Sequence, residues 1–212
     1  MKKIAIILAA AAMLLAGTNA NAQLQVGAGY LNSTQTITNS ESVNTNGFYA
    51  GLSYNIPLVA GLGVAPGLYY SMLGGKSANG LNLGFIALNR ESKFTEHAIN
   101  VPVYLNYGFP LMDDFKFLVF AGPTVQYGLS SKSKTTGSVT GALDGGTQNT
   151  VDNYADGKYN RLNVYVGGGL AMNAGRMQVS VGFDYGLMDL LPKDENVKSN
   201  RYNIKIGVAY LF

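Results

Sequence analysis

The chain ends in the stretch RYNIKIGVAYLF, residues 201–212. Apolar or aromatic side chains occupy every second position of this stretch: Tyr202, Ile204, Ile206, Val208, Tyr210 and Phe212. Most of the residues between them are polar or small, and alternation with a period of two predicts a β-strand with one apolar face. The stretch is longer than the ~5–6 residues of a typical soluble strand, and it reaches the about 9–11 residues that a tilted strand needs to cross a bilayer.

Similar alternation recurs upstream, most clearly in residues 96–109 and 177–187. Extending the pattern over the chain predicts eight strands, at residues 24–32, 47–56, 62–73, 94–109, 116–130, 159–172, 177–189 and 201–212. No helical periodicity interrupts the series, which excludes an α/β fold.

The connections between these strands fall into two classes. Three are short and turn-like, at residues 57–61, 110–115 and 173–176, and four are longer, at residues 33–46, 74–93, 131–158 and 190–200. Short links at one end, long links at the other and both termini at the short end are typical of up-and-down barrels in the outer membrane. We therefore predict an all-β fold, an eight-stranded antiparallel up-and-down transmembrane β-barrel, with 131–158 as a mobile, solvated surface loop. A soluble barrel of the lipocalin type is the alternative.

Composition agrees with a membrane barrel. Charged residues make up only 13% of the chain, about half the share of a water-soluble domain, while 47% of residues are apolar, which excludes a disordered chain. The strand face opposite the apolar one carries mostly Gly, Ala, Ser, Asn and Thr, as the cramped interior of an eight-stranded barrel requires. Aromatic side chains near the strand ends predict two interfacial girdles; they are Tyr30, Tyr54, Tyr107, Tyr127, Tyr202, Tyr210 and Phe212.

The first 22 residues have the three parts of a secretory signal peptide. Lys2 and Lys3 precede an apolar run at residues 4–16, and Ala20-Asn21-Ala22 forms an A-x-A cleavage site. We expect residues 1–22 to be removed, which leaves a barrel domain at 23–212. The absence of cysteine excludes a disulfide-stapled domain and a lipoprotein anchor. Without Lys2 and Lys3 the formal net charge falls from +3 to +1, so nucleic-acid binding has no electrostatic basis.

Three prolines, Pro66, Pro102 and Pro123, fall inside predicted strands. Proline removes a hydrogen bond from the ladder, and a closed barrel has no edge on which to place it. We expect local β-bulges at these positions.

Two stretches resemble those of a known family. The sequence NVPVYLNY at residues 100–107 is similar to a strand of small outer-membrane β-barrel proteins of the porin and PorT-like type. In the terminal KIGVAYLF, the residues Lys205, Gly207, Tyr210 and Phe212 look like the assembly signal of outer-membrane barrels. This resemblance implies insertion by the barrel insertion machinery into the outer membrane of a Gram-negative cell.

The sequence has few residues suited to catalysis or metal binding. His97 is the only histidine, which excludes a multi-histidine metal site, and the neighbouring Glu96 points to the opposite face of its strand. Only fragments of a calcium-loop spacing occur in residues 131–158. We predict no catalytic residues, no metal and no cofactor, with His97 as a girdle or loop-base residue.

Six charged residues fall on inward positions: Glu96, Lys116, Arg161, Asp184, Arg201 and Lys205. They predict a charge network in the lumen, with Asp184 and Lys205 close enough to pair. One interpretation is a constriction that selects solutes; the favoured one is a plug of paired charges, because eight strands leave no aqueous channel.

We predict a non-enzymatic role, either structural or in surface interaction through the long extracellular loops, with outer-membrane lipid and an unidentified loop ligand as partners. A narrow porin that passes small solutes and a lipid-modifying enzyme are the alternatives.

Overall fold

The computed structural model describes residues 23–37, 42–82, 86–112, 115–141, 145–155, 159–190 and 199–212. These residues form nine strands, which are β1 Gln23–Ile37, β2 Val43–Pro57, β3 Leu62–Asn82, β4 Ile86–Met112, β5 Phe115–Gly141, β6 Gly145–Asp152, β7 Leu162–Ala174, β8 Met177–Gly186 and β9 Ser199–Leu211. None of the described residues belongs to a helix that could span a bilayer. The predicted signal peptide at 1–22 lies outside the described residues.

Eight of the strands close into a ring. Each of β1 to β4 pairs antiparallel with the next strand, β5 pairs with β7, and β7 to β8 and β8 to β9 continue the series. The ring closes where β9 pairs with β1, from Gln25 opposite Leu211 to Ile37 opposite Ser199. The predicted eight-stranded antiparallel barrel is confirmed, and closure leaves the ring without an unpaired edge.

Three strands continue beyond the ring at the end with the long connections. The β3–β4 ladder extends to the pair Asn82 and Ala87, and the β4–β5 ladder extends to Ile86 and Gly141. Strand β6 then pairs with the extension of β5. We call this four-stranded extension, residues 75–82, 86–95, 131–141 and 145–152, the projecting sheet.

The projecting sheet corrects two sequence predictions. The segments 74–93 and 131–158 are predicted as long connections, and the second as a mobile loop, but most of both is β-strand. The cause is that the sequence here is mostly polar at successive positions, as in SKSKTTGSVTG at residues 131–141, so no apolar alternation marks a strand. Smaller differences lie at the strand ends: β7 begins at residue 162 rather than 159, and β8 ends at residue 186 rather than 189.

The outside of the ring is apolar on all its strands. Large aliphatic side chains are exposed there, among them Leu24, Val26, Leu52, Leu68, Val103, Leu105, Val119, Leu170, Val179, Val181, Ile204, Ile206 and Val208. A soluble monomer rarely exposes a continuous apolar patch above a few hundred Å². A band that encircles the molecule is instead the surface that hydrocarbon covers.

The prediction of β-bulges at the three prolines is wrong. The register of each proline's ladders is constant across it, and the register shifts lie between His97 and Ala98 and between Pro110 and Met112. Each proline keeps its pair on one side only: Pro66 with Val103, Pro102 with Thr124, and Pro123 with Val166. Because proline has no N–H, the ladder is interrupted on the other side without a change of register.

Aromatic side chains inside the barrel fill space that glycine leaves open. Tyr49 and Tyr69 meet edge to face at 5.8 Å between ring centroids. A Cβ built on Gly29 would lie 2.7 Å from Tyr49 Cε1, and one on Gly51 would lie 2.8 Å from Tyr69 Cδ1. Glycine is therefore required at these positions because a ring lies directly against the backbone.

Candidate functional site

A buried ion pair crosses the lumen. Arg201 on β9 donates from Nη1 to Glu96 Oε1 at 2.6 Å and from Nη2 to Oε2 at 3.0 Å, and both side chains are only 4% exposed. Strands β4 and β9 are not neighbours in the ring, so the pair links opposite walls. Bidentate geometry of this kind is the strongest form of a charge-assisted hydrogen bond. We call this pair the crossbar.

A second ion pair lies deeper in the barrel. Lys205 on β9 contacts Asp184 on the neighbouring β8, and its Nζ also donates to the Tyr104 hydroxyl on β4 at 3.3 Å. Lys205 therefore joins two strands that the ladder does not connect. The structure brings four of the six predicted lumen charges together as two opposite-sign pairs.

The other two predicted lumen charges are exposed at the rims. Lys116 lies near the short-turn end, where its side chain passes over Gly108. Arg161 lies at the opposite end, with its guanidinium 4.8 Å from the centroid of the Tyr154 ring and Nη1 donating to the Leu129 carbonyl at 3.4 Å. Both have the predicted inward register but stand too far along the barrel axis to join the network.

A cavity of about 130 Å³ occupies the lumen between the crossbar and the short-turn end. Its lining includes the polar side chains of Ser53, Asn100, Gln126, Gln178 and Asn203, beside the Lys205–Asp184 pair. On the long-connection side, Tyr165 is buried and donates to Gln126 Oε1 at 3.0 Å. The cavity can hold water or a small polar solute on the short-turn side of the crossbar and Tyr165. The inward aromatic residues Tyr49, Tyr69, Tyr104 and Phe120 also line it; sequence reasoning missed them as a group.

The projecting sheet is tied to the mouth of the barrel. Asn153 donates from Nδ2 to Ser131 Oγ at 3.0 Å and to Ser133 Oγ at 2.9 Å. The following Tyr154 is buried, with its hydroxyl against Gly128. Burial and the nearby Glu96 carboxylate raise the pKa of the Tyr154 hydroxyl, so it remains protonated. These contacts fix the end of β6 to the barrel.

His97 lies on the outer surface. Its Nδ1 shares a hydrogen bond with the Tyr70 hydroxyl, and the two rings stack with centroids 6.0 Å apart. Glu96 points into the lumen, so the two side chains are on opposite faces. In the part of the chain that the structure describes, no group of three His, Asp or Glu side chains could hold a metal ion.

The residues of the C-terminal motif divide between the two faces of β9. Lys205 lies in the lumen, and Gly207 is covered by Tyr49. Tyr210 and Phe212 point outward, with ring centroids 4.9 Å apart, and Arg176 donates to the Tyr210 hydroxyl at 3.3 Å. The two outward rings lie at the short-turn end, where one aromatic girdle is predicted.

Comparisons with solved structures give matches of low sequence identity. Ail, the attachment invasion locus protein of Yersinia pestis, aligns over 90% of this chain and 99% of its own, with 11% identity and a TM-score of 0.49. Neisserial surface protein A aligns over 89% and 97%, with 14% identity and a TM-score of 0.46. OprG from Pseudomonas aeruginosa aligns over 92% and 98%, with 11% identity and a TM-score of 0.39.

No curated protein sequence matches the chain. A family model does: the outer membrane protein beta-barrel domain matches residues 13–191, well over half of the chain. That match agrees with the closed ring of strands, its apolar exterior and its polar interior. The chain therefore belongs to the outer-membrane β-barrel protein family.

Proposed function

We propose that the protein is a surface-interaction protein, in which the barrel is an anchor and the projecting sheet binds a partner outside the cell. The observation that carries the proposal is the sheet itself. Three barrel strands continue past the ring and are joined by β6, which has no place in the ring. The long-connection end of outer-membrane barrels faces the cell exterior, so the sheet would stand above the membrane.

The outer edge of β6 is suited to strand addition. Strand β6 pairs with β5 from Gly145 opposite Val139 to Asp152 opposite Lys132, and among the described residues no strand covers its other edge. Unpaired backbone N–H and C=O groups along an edge are a template for an added strand. Strand β6 has no proline and no lysine, two residues that commonly protect edges.

The interior of the barrel supports an anchor more than a conduit. The crossbar and Tyr165 fill the lumen on the long-connection side, and an eight-stranded ring has room for little besides its own side chains. This favours a rigid, closed support for the projecting sheet over the narrow porin that the sequence also allowed. The proposed role is non-enzymatic.

Backbone geometry identifies the β6 positions that test the proposal. The Asn153 N–H donates to the Ser131 carbonyl at 2.8 Å, which makes these opposed residues a hydrogen-bonded pair. Because such pairs alternate along an antiparallel ladder, the N–H groups of Thr147, Asn149 and Val151 point toward β5. Those of Gln148 and Thr150 point away, toward an added strand.

Gln148→Pro is expected to reduce adherence at least tenfold without unfolding the barrel, since it removes one outward donor and leaves the β5–β6 bonds in place. The measurement is adherence of cells that display the protein to surfaces coated with matrix and plasma proteins. Gln148→Thr is the matched control, because it changes the same side chain but retains the N–H. Equal adherence of Gln148→Pro and Gln148→Thr would contradict strand addition at β6.

A further inference from the structure

Three lysines stand side by side on the projecting sheet. Lys76 on β3 is directly opposite Lys93 on β4, and Lys93 is directly opposite Lys134 on β5. Residues opposed in this way share a face of the sheet, with Cβ atoms about 4.5–5.5 Å apart. Lys132 lies two residues from Lys134 and therefore points the same way. We call Lys76, Lys93, Lys132 and Lys134 the lysine patch.

The patch faces outward because of a β-bulge. Ala98 pairs with Gly128, whereas His97 pairs with Ser130, so β5 carries one extra residue at Leu129. On the N-terminal side of the bulge the outward residues of β5 have odd numbers, as with Tyr127 and Leu129. On its C-terminal side the outward residues have even numbers. Without the extra residue Lys132 and Lys134 would point to the inner face of the sheet. The bulge thus aims both lysines along the surface that continues the lipid-facing wall.

The patch has a surplus of positive charge. All four side chains are exposed, and Lys93 forms an ion pair with Glu91 at 3.4 Å between Nζ and Oε1. Asp152 is opposite Lys132, but its Oδ1 accepts the Tyr154 N–H at 2.9 Å. Among the described residues, Lys76, Lys132 and Lys134 form no ion pair. Like charges directly opposed on a sheet destabilise it, so an anionic group at this position would relieve a cost that the fold otherwise carries.

The height of the patch indicates where that anion lies. Tyr70 and Tyr127 flank Ile99 in one row, and Phe109 lies ten residues further along β4, about 26 Å away along the membrane normal. This distance matches the ~25 Å apolar band of outer-membrane barrels and makes the Tyr70 row the outer boundary of the hydrocarbon. With the same rise per residue along the membrane normal, Lys132 lies about 10 Å beyond the Tyr70 row and Lys93 lies about 16 Å beyond it.

Ordinary phospholipid headgroups extend only about 5–8 Å beyond the hydrocarbon. Phosphates carried on a saccharide headgroup reach further and are anionic at the level of the patch. We propose that the lysine patch binds the phosphorylated saccharide headgroup of an outer-leaflet glycolipid. Lysine serves as a point-charge ligand for phosphate, and three neighbouring ammonium groups can contact more than one phosphate of the same lipid. This proposal shares the outward orientation of the projecting sheet with the proposed function, but it does not involve the β6 edge.

The test measures binding of lipopolysaccharide to the full-length mature chain in detergent micelles, with intact and with enzymatically dephosphorylated lipid. We expect the wild type to prefer the phosphorylated form at least tenfold. Lys93→Gln with Lys134→Gln should weaken binding of the phosphorylated form roughly 25-fold, at about fivefold for each lysine near an anionic surface. Lys116→Gln removes one positive charge from an exposed lysine at the opposite end of the barrel and should change affinity less than twofold.

Three results would overturn the proposal. The first is equal affinity for the two lipid forms, and the second is no loss of binding in the double variant when its heat-dependent gel mobility shows a folded barrel. The third is patch-dependent binding of a soluble polysulfated glycan without patch-dependent binding of the lipid, which would assign the patch to a different ligand. The Gln148→Pro variant should bind the lipid normally, so failure here is distinguishable from failure of strand addition at β6.

Discussion

Arg201→Met is expected to lower the free energy of unfolding by about 3–5 kcal/mol. The substitution leaves the Glu96 carboxylate buried with no cation, because Arg201 supplies both hydrogen bonds to it across the lumen. A buried charge that loses its only partner retains the full cost of its desolvation. The measurement is urea unfolding in lipid vesicles, followed by far-ultraviolet circular dichroism because the chain has no tryptophan.

Two further variants show whether the loss comes from the unpaired charge. Glu96→Leu with Arg201→Met removes both charges and should recover most of the stability. Lys116→Met removes an exposed inward-register cation at the rim and should change the free energy of unfolding by no more than about 0.5 kcal/mol. Equal stabilities of Arg201→Met and Lys116→Met would show that the crossbar is not a structural element of the plug.

Gly29→Val is expected to destabilise the barrel by about 3 kcal/mol, the upper part of the usual range for overpacking. A Cβ at this position would lie 2.7 Å from both Gly207 Cα and Tyr49 Cε1, and it would also collide with the Ile206 carbonyl. Movement of the Tyr49 ring cannot relieve the backbone contacts with β9. The fraction of protein that shows the folded mobility on an unheated gel measures the effect.

Gly74→Ala is the matched control for this prediction. A Cβ there would meet nothing nearer than the carbonyl oxygens of Asn46 and Phe94 at 3.9 Å, which is ordinary contact. We expect a nearly normal folded fraction for Gly74→Ala and a strongly reduced one for Gly29→Val. A normal folded fraction for Gly29→Val would mean that β1 and β9 do not approach each other as closely as described.

The barrel could be predicted from sequence because the outer face of each strand shows the same alternation of apolar with polar or small residues. In β9, Ile204, Ile206 and Val208 alternate with polar or small residues, and the same physical demand, one face against hydrocarbon, recurs in the other seven strands of the ring. The projecting sheet could not be predicted in this way. Residues 131–141 are polar or small at nearly every position, so alternate positions show no contrast in hydrophobicity.

The sequence predicts which charged residues face the lumen, but it does not predict the position of each one along the barrel axis. Register alone assigns Glu96, Arg201, Lys116 and Arg161 to the inner side, and periodicity carries no information on how far along the axis each one lies. Which residues meet across the lumen depends on the stagger between β4 and β9, which are separated by three strands in the ring. That stagger brings Glu96 to Arg201 and leaves Lys116 and Arg161 at opposite rims.

The inward tyrosines were missed for a related reason. Tyr69 and Tyr70 are adjacent, so one points into the lumen and the other to lipid, and composition alone does not tell which of the two rings lies inside. The signal for the inward ring is its pairing with glycine: Gly51 and Gly67 both lie against Tyr69. Gly67 lies on the same strand as Tyr69, whereas Gly51 lies on β2, and only the register of the β2–β3 ladder places Gly51 beside that ring.

Single-cysteine labelling shows whether the closed barrel holds the projecting sheet on the outside of the cell. The natural chain has no cysteine, so one introduced thiol gives an unambiguous signal. Gln148→Cys places it on β6, and Arg176→Cys places it in the exposed β7–β8 turn at the other end of the barrel. The reagent is a maleimide that does not cross the outer membrane.

On intact cells we expect the maleimide to label the Gln148→Cys variant fully, and to label the Arg176→Cys variant only after the cells are broken. Labelling of the Arg176→Cys variant on intact cells, with the Gln148→Cys variant protected until lysis, would show that the projecting sheet faces the periplasm.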